Sequence, residues 1–253
     1  MIINSPSLSD LSFLKDLWKE AFGDENEFID CFFELGFSPD RALCAYENEE
    51  PISTLYWFDC EMNGEKIAYV YGVATRKAFR GRGLSTALMN QLNKLLSERG
   101  YSAIVLVPAK KELFNFYARL GYIPCSGITE KEITASDKTI DICGVSVDEY
   151  FKERGKFLPK NSLILDKTGF AFLNALTKLY AGKDFVLAIA KEENKVFIKE
   201  FLGNDAKLSD AIRSLGYTSG YARLLGSDRY FAMYLPLSKN FSHAPTYLGF
   251  AFD

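Results

Sequence analysis

Val73 to Ser85, VATRKAFRGRGLS, joins two strongly patterned stretches of the chain. Before it runs IAYVYGVAT (Ile67 to Thr75), rich in β-branched and aromatic residues, which predicts a buried strand. After it come Leu84, Ala87, Leu88, Leu92, Leu95 and Leu96, an apolar stripe of helical period closed by Gly100. A strand, a loop of arginines and glycines, and a helix start make a site for an anion. The first N–H groups of a helix have no intrahelical partner, and its dipole puts partial positive charge there. Gly81 and Gly83 carry no Cβ to hold a ligand away from the backbone, and Arg76, Lys77, Arg80 and Arg82 add charge.

Spacing narrows the kind of anion site. No string fits G-x-x-x-x-G-K-[ST], and Thr86 stands where a dinucleotide fingerprint needs its third glycine. What remains is Arg80-x-x-Gly83-x-Ser85. Downstream, SAIVLV (Ser102 to Val107) predicts a short strand ending at Pro108. Leu113, Phe116, Tyr117 and Leu120 then mark one face of a helix that stops at Gly121, within the string FYARLGY (Phe116 to Tyr122).

In this order and spacing the two motifs resemble those of the GNAT N-acetyltransferase superfamily. Arg80-x-x-Gly83-x-Ser85 is similar to its acyl-CoA pyrophosphate loop, [QR]-x-x-G-x-[GA], with Ser85 as the one departure. FYARLGY is similar to its closing signature. The resemblance covers about residues 1 to 135. Through LKDLWKEAFGD and YVYGVATRKAFRGRGLSTALM the chain looks most like the N-terminal domain of the enhanced intracellular survival type.

The resemblance implies a mixed α/β (α+β) fold, the GNAT acyl-CoA N-acyltransferase fold, in residues 1–137. It implies acetyl-CoA as acyl donor and no metal. Main-chain groups of Val73, Ala74 and Thr75 are then expected to bond the pantetheine. Backbone donors of Arg80, Gly81, Arg82, Gly83, Leu84 and Ser85 are expected to hold the pyrophosphate, with the side chains of Arg76, Lys77 or Arg82 reaching further oxygens. Tyr117 is the expected general acid for the departing thiolate; a phenol with a pKa of about 10 is roughly matched to a thiol. Two positions depart from the family. Lys110 stands where an Asn is frequent, and Tyr69 stands where some members carry a Glu base. Asp59 and Glu61 are the nearest carboxylates by register, on a strand whose polar residues are expected to face solvent. The family resembled can use its terminal carboxylate, which makes Asp253 a catalytic candidate.

Composition agrees with an enzyme of two modest domains: 253 residues, 48% hydrophobic, 25% charged. A net charge of −3 argues against nucleic acid as partner, since the basic cluster is local. No apolar run approaches the ~18 residues of a membrane span, and the N-terminus has no secretory pattern, so a cytoplasmic location is expected. Five scattered cysteines (Cys31, Cys44, Cys60, Cys125, Cys143) without a C-x-x-C pair point to neither a disulfide framework nor a zinc site. The one histidine, His243, lies in a polar loop and offers no nucleophile triad.

Along the chain, Leu8, Leu11, Leu14, Leu17, Trp18 and Ala21 predict a first helix, and Phe28, Ile29, Phe32 and Phe33 a second ending near Gly36. Arg41 to Tyr46 and Ile52 to Cys60 read as a hairpin, and Asn63-Gly64 as a second, type I′ one. Residues 138–253 are expected to form a second domain, either a degenerate GNAT-like unit without a cofactor site or an unrelated α+β domain. Its helices are predicted at Val147 to Arg154 and Phe170 to Tyr180, its strands at Phe185 to Ala190 and Lys195 to Leu202 around the turn KEEN. There follow the loop GNDAK and the helix Leu208 to Gly216. The end, YLGFAFD, reads as an ordered apolar terminal strand. The expected activity is acetyl transfer from acetyl-CoA to a primary amine of a small molecule or peptide, in a chain that is free to form homo-oligomers. A non-catalytic acyl-CoA-binding regulatory protein is the alternative, suggested by Tyr69, and a nucleotide-phosphate site of another kind is the third reading.

Overall fold

Two tight hairpins set the course of the sheet. In the computed structural model, which describes residues 2–190, 196–249 and 251, β1 (Ile2–Asn4) is followed by α1 (Leu11–Phe22) and α2 (Asn26–Cys31), which runs on as a π-helical turn over Phe32–Gly36. β2 (Ala42–Glu47) and β3 (Glu50–Met62) join through Asn48 and Glu49, at φ of 50° and 67°. β3 and β4 (Glu65–Thr75) join through Asn63 and Gly64, at 54° and 80°. Positive φ at both central residues is the turn geometry whose twist matches that of paired strands.

From β4 the chain crosses by α3 (Leu84–Glu98) to β5 (Ala103–Leu106), which lies parallel to β4, and then forms α4 (Lys111–Arg119) and β6 (Ile123–Thr134). A helical crossover is what lets β5 run parallel. The second half contributes β7 (Ile142–Gly144), α5 (Val147–Arg154), β8 (Ile164–Leu165), α6 (Lys167–Leu176), β9 (Thr177–Gly182) and β10 (Phe185–Ala190). It ends with β11 (Val196–Gly203), α7 (Leu208–Ser214), β12 (Ser219–Leu225) and β13 (Arg229–Pro236). Among the described residues these strands form one sheet in the order β1-β2-β3-β4-β5-β13-β6-β12-β11-β10-β9-β7, with β8 added on β3. The sheet runs through both halves of the chain. β13 fills the slot between β5 and β6, with Met233 opposite both Leu106 and Pro124.

Each face of the sheet carries a core. Leu84, Leu88, Leu92 and Leu96 of the predicted stripe on α3, together with Met89, are buried against Trp57, Ile104 and Leu106. On the other face Trp18, Phe32, Tyr56, Phe58 and Phe172 pack ring on ring, tying α1, the π-turn, β3 and α6 together. Side chains of this size each contribute roughly 1.5–3 kcal/mol when fully buried. Cys44, Cys60 and Cys125 are buried as small hydrophobes, and burial pushes the Cys44 and Cys125 thiols up to about 12.

Two expectations for the second half are corrected. The helix expected over Phe170 to Tyr180 ends at Leu176, where the Thr177 hydroxyl turns back onto the Leu173 carbonyl at 2.8 Å. Thr177–Gly182 is then drawn into strand β9, because Leu179 and Ala181 bury against β10 while Lys178 faces out. The terminal apolar segment forms no strand among its described residues; it has one parallel bridge, Ser162 to Tyr247. Phe250, Phe252 and Asp253 lie outside the described residues, as does the KEEN turn.

Side chains hold the segment in the strand's place. The Tyr247 hydroxyl donates to Glu200 Oε1 at 2.8 Å, Tyr150 donates to Oε2 at 2.8 Å, and Arg154 grips both oxygens at 2.8 and 2.9 Å. Glu200 and Arg154 are buried, and a fully hydrogen-bonded carboxylate is the form in which such a charge is tolerated. Among the described residues no helix is long and apolar enough to cross a membrane, and no cluster of three or more His, Cys, Asp or Glu could hold a metal ion.

Candidate active site

β4 and β5 pair only from Ile67 opposite Ala103 to Val70 opposite Leu106. Two local features end the ladder. Pro108 follows β5 closely and has no N–H to donate. On β4 the register with β3 shifts between Thr54 and Tyr56, where Gly72 takes φ of 61°. A Cβ there would stand 2.9 Å from the Tyr56 ring and 3.0 Å from Trp18, so the bulge needs glycine on both counts. Beyond it Val73, Ala74 and Thr75 stay in strand against β3, with Thr54 opposite Ala74 and Ser53 opposite Thr75. Their other edge has no partner strand among the described residues. A strand edge of this kind is a template for further amide groups.

The arginine–glycine loop follows at once. Arg80 donates from Nε to the Thr75 carbonyl at 3.1 Å, which folds the loop back on the strand end. Gly81 and Gly83 adopt φ of 79° and 73°, and Gly83 caps α3 with no side-chain acceptor for the helix's first N–H groups. Leu84 anchors the helix start in the core, and the Ser85 hydroxyl lies 3.1 Å from that of Thr75, itself 2.7 Å from Ser53. Val73, Ala74, Thr75, Arg80, Gly81, Gly83, Leu84 and Ser85 line one cavity of about 610 Å³. The structure brings these expected residues together.

A second cavity, about 470 Å³, opens where the strands part. It shares Phe22, Val73, Ala109 and Leu113 with the first, so the two adjoin. Tyr69 to Val73 form one wall and α1 another, through Trp18 and Phe22, with Asp24 just beyond it; Leu173, Leu176 and Lys199 come from the second half. Tyr117 projects into it from α4, packed on Phe116 and Tyr122 at ring separations of 5.0 and 5.8 Å. Its hydroxyl has no hydrogen-bond partner among the described residues, and burial pushes its pKa up to about 12. The phenol is therefore protonated at neutral pH, but it is a weaker acid than the free phenol whose pKa is roughly matched to a thiol.

Other expected residues lie elsewhere. Arg76 is turned away from the loop: Nη1 is 3.3 Å from Glu20 Oε2 and Nε 3.3 Å from the Pro51 carbonyl, so its guanidinium serves the scaffold. Arg82 lies over the Phe79 ring at 4.7 Å and 3.3 Å from Glu47, outside both cavities. Lys110, at the start of α4, lines the larger cavity and brings a cation where the family frequently has Asn. Tyr69 is buried in the wall of the smaller cavity. Asp59 accepts the Tyr101 hydroxyl and Glu61 is exposed; neither lines a cavity. Asp253 lies outside the described residues.

The sequence reading missed Asp24. It follows Gly23, the left-handed residue that ends α1, and its Oδ2 accepts the Trp18 indole N–H at 2.7 Å. That pairing puts a carboxylate in the wall of the smaller cavity. A glycine stop followed by an acid, six residues beyond a tryptophan, was the only local signal.

Residues 3–125 match the family model of the acetyltransferase (GNAT) domain. No curated protein matches the sequence. Solved structures extend the likeness over the whole chain. A GCN5-related N-acetyltransferase from Anabaena variabilis superposes with a TM-score of 0.74 at 14% identity, over 94% of this chain and 73% of its own. Eis1 from Mycobacterium abscessus gives 0.67 at 14%, over 94% and 74%. A GCN5-related N-acetyltransferase from Sphaerobacter thermophilus gives 0.59 at 11%, over 97% and 98%. The arginine–glycine loop, the parted strands and the Tyr117 helix all fall within the segment that matches the acetyltransferase (GNAT) domain model, and the chain has the fold of the GNAT N-acetyltransferase structures.

Proposed function

We propose that the protein transfers an acetyl group from acetyl-CoA, a co-substrate, to a primary amine of a small molecule or peptide in the cytoplasm. The observation that carries this reading is that the two cavities adjoin along Phe22, Val73, Ala109 and Leu113. One runs along the open edge of Val73 to Thr75 to the bare N–H groups at Gly83, Leu84 and Ser85; the other holds the unpartnered Tyr117 hydroxyl. An acyl-pantetheine arm bonded along that edge, with its pyrophosphate at the start of α3, carries its thioester into the smaller cavity. The amine nitrogen bonds to the acyl carbon and the carbon–sulfur bond breaks. Tyr117 gives its proton to the departing sulfur, and the proton lost by the nitrogen restores the phenol through solvent. Arg80 holds the loop in shape, and Arg82 to Ser85 supply backbone donors.

Residues 138–253 act in this reading as a degenerate GNAT-like unit. β11, the loop Gly203 to Lys207, α7 and β12 repeat the strand, loop, helix and parallel strand of β4, α3 and β5. The loop GNDAK has neither the arginine nor the spaced glycines, so one CoA binds per chain. The unit's contribution is the wall formed by Leu173, Leu176 and Lys199.

Release of free CoA thiol from acetyl-CoA across a panel of amines, beside calorimetric titration with acetyl-CoA, tests the reading. Saturable binding with amine-dependent thiol release is expected. Binding without turnover on any amine would favour the non-catalytic alternative, and no binding would refute the site.

A further inference from the structure

Asp24 is the carboxylate in the wall of the smaller cavity among the described residues, and it is set among aromatic rings. It stands at the C-terminal end of α1, where the peptide dipoles turn their negative end. Oδ2 is held by the Trp18 indole at 2.7 Å, while Oδ1 has no hydrogen bond among the described residues. No described cation pairs with the carboxylate: Lys19 is spent on the Asp24 main-chain carbonyl at 2.6 Å and on Glu25 at 3.8 Å. Around it, Trp18 lies 5.2 Å from Phe22, 6.4 Å from Phe28 and 5.5 Å from Tyr71, all rings that line the same cavity.

Each part selects for a different piece of a ligand. A half-buried carboxylate fixed through one oxygen leaves the other to accept an N–H from a cation, and charge-assisted bonds of this kind are stronger than neutral ones. Aromatic faces within reach add cation–π attraction for the same charge. Val70, Leu106, Leu173 and Leu176 make much of the remaining wall hydrocarbon, which rewards an apolar stem over a polar one. Among the described residues a second positive charge finds no second counter-charge, because the other charged side chain lining the cavity is Lys199.

We infer that the acceptor is a monocationic primary amine on an aromatic or branched apolar stem, its ammonium held by Asp24 until it loses one proton to solvent and attacks as the neutral amine, and that polyamines and amino sugars bearing several ammonium groups are rejected. The acceptor role rests on the transfer reading above; the recognition itself does not.

The test is therefore one of binding, by calorimetry with the full chain saturated with CoA and no acyl donor present. The probes are 2-phenylethylamine, 2-phenylethanol (the same stem without charge) and spermidine (charge without the ring). The amine should bind at least tenfold more tightly than either. Asp24→Asn keeps an oxygen for the Trp18 N–H and should weaken the amine at least tenfold, leaving 2-phenylethanol and CoA affinities unchanged. Equal affinity for amine and alcohol, preference for spermidine, absence of amine binding, or an unaffected Asp24→Asn variant would each overturn the inference. Amine binding that shows this pattern without thiol release would instead overturn the transfer reading and leave this one standing.

Discussion

The side chain of Glu20 and the main chain of Lys77 are bonded to each other: the Lys77 N–H donates to Glu20 Oε1 at 2.5 Å, while Arg76 lies 3.3 Å from Oε2. The contact ties α1, which carries Trp18 and Phe22, to the chain that leads into Gly81 and Gly83. Glu20→Ala should raise the acetyl-CoA dissociation constant roughly tenfold, the scale of one lost charge-assisted hydrogen bond. Calorimetric titration reads this directly, and an unchanged constant would show that the loop holds its shape unaided.

The same contact has a pH signature. The Lys77 N–H first, and then the Arg76 charge, hold the Glu20 carboxyl below its usual range. A carboxylate lowered in the folded state stabilises above its unfolded pKa, and that contribution is lost as pH falls through the folded value. The wild type should thus exceed Glu20→Gln in melting temperature from neutral pH down to about 5, with the gap closing below about 4. A gap that widens on acidification would contradict the assignment.

Gly83→Asp puts a side chain at φ of 73° and a negative charge where backbone donors await an anion. No protein atom lies within 4 Å of a Cβ built there, so the fold should survive. Acetyl-CoA affinity should fall by about two orders of magnitude, more than 2 kcal/mol. A folded variant with wild-type affinity would remove the pyrophosphate from this helix start.

Tyr117→Phe keeps the ring between Phe116 and Tyr122 and deletes the hydroxyl. kcat should drop by roughly 10²-fold with acetyl-CoA affinity nearly unchanged, the pattern of a lost general acid. Equal turnover in the two proteins would reduce Tyr117 to a packing residue.

Arg154→Leu leaves the Glu200 carboxylate buried with only two phenols to satisfy it, which should cost about 3–5 kcal/mol. Tyr247→Phe removes a single donor and should cost only about 1–2 kcal/mol. Denaturant unfolding of both variants gives the comparison, and the reverse order would place the main anchor in the tail.

What the sequence disclosed was whatever depends on near neighbours. The β4 strand, the loop to Ser85 and the α3 stripe are written in the spacing of residues a turn or a pleat apart. The Asn63-Gly64 hairpin is just as local. Arg76 misled because its partner, Glu20, lies on another element, and nothing in VATRKAFRGRGLS shows that its first arginine is already engaged. Asp24 escaped notice for a like reason: it acquires meaning only when α1 packs over the Gly72 bulge and turns Trp18 toward the gap. Thr177 to Tyr180 reads as a helix tail until β10 offers an edge. The apolar end of the chain reads as a strand, but among its described residues the hold is the Tyr247 hydroxyl on Glu200 rather than a strand ladder.

The position of β13 governs the order in which the protein can assemble. While the chain emerges from the ribosome, β5 and β6 are made long before the strand that separates them, and until Met233 arrives between Leu106 and Pro124 they have a gap at their centre. The nascent N-terminal half therefore waits with two apolar edges open, each able to capture a stray strand. Completion of the sheet beside the two cavities is a late, long-range event, so the final step of folding and the completion of those cavities should coincide in time.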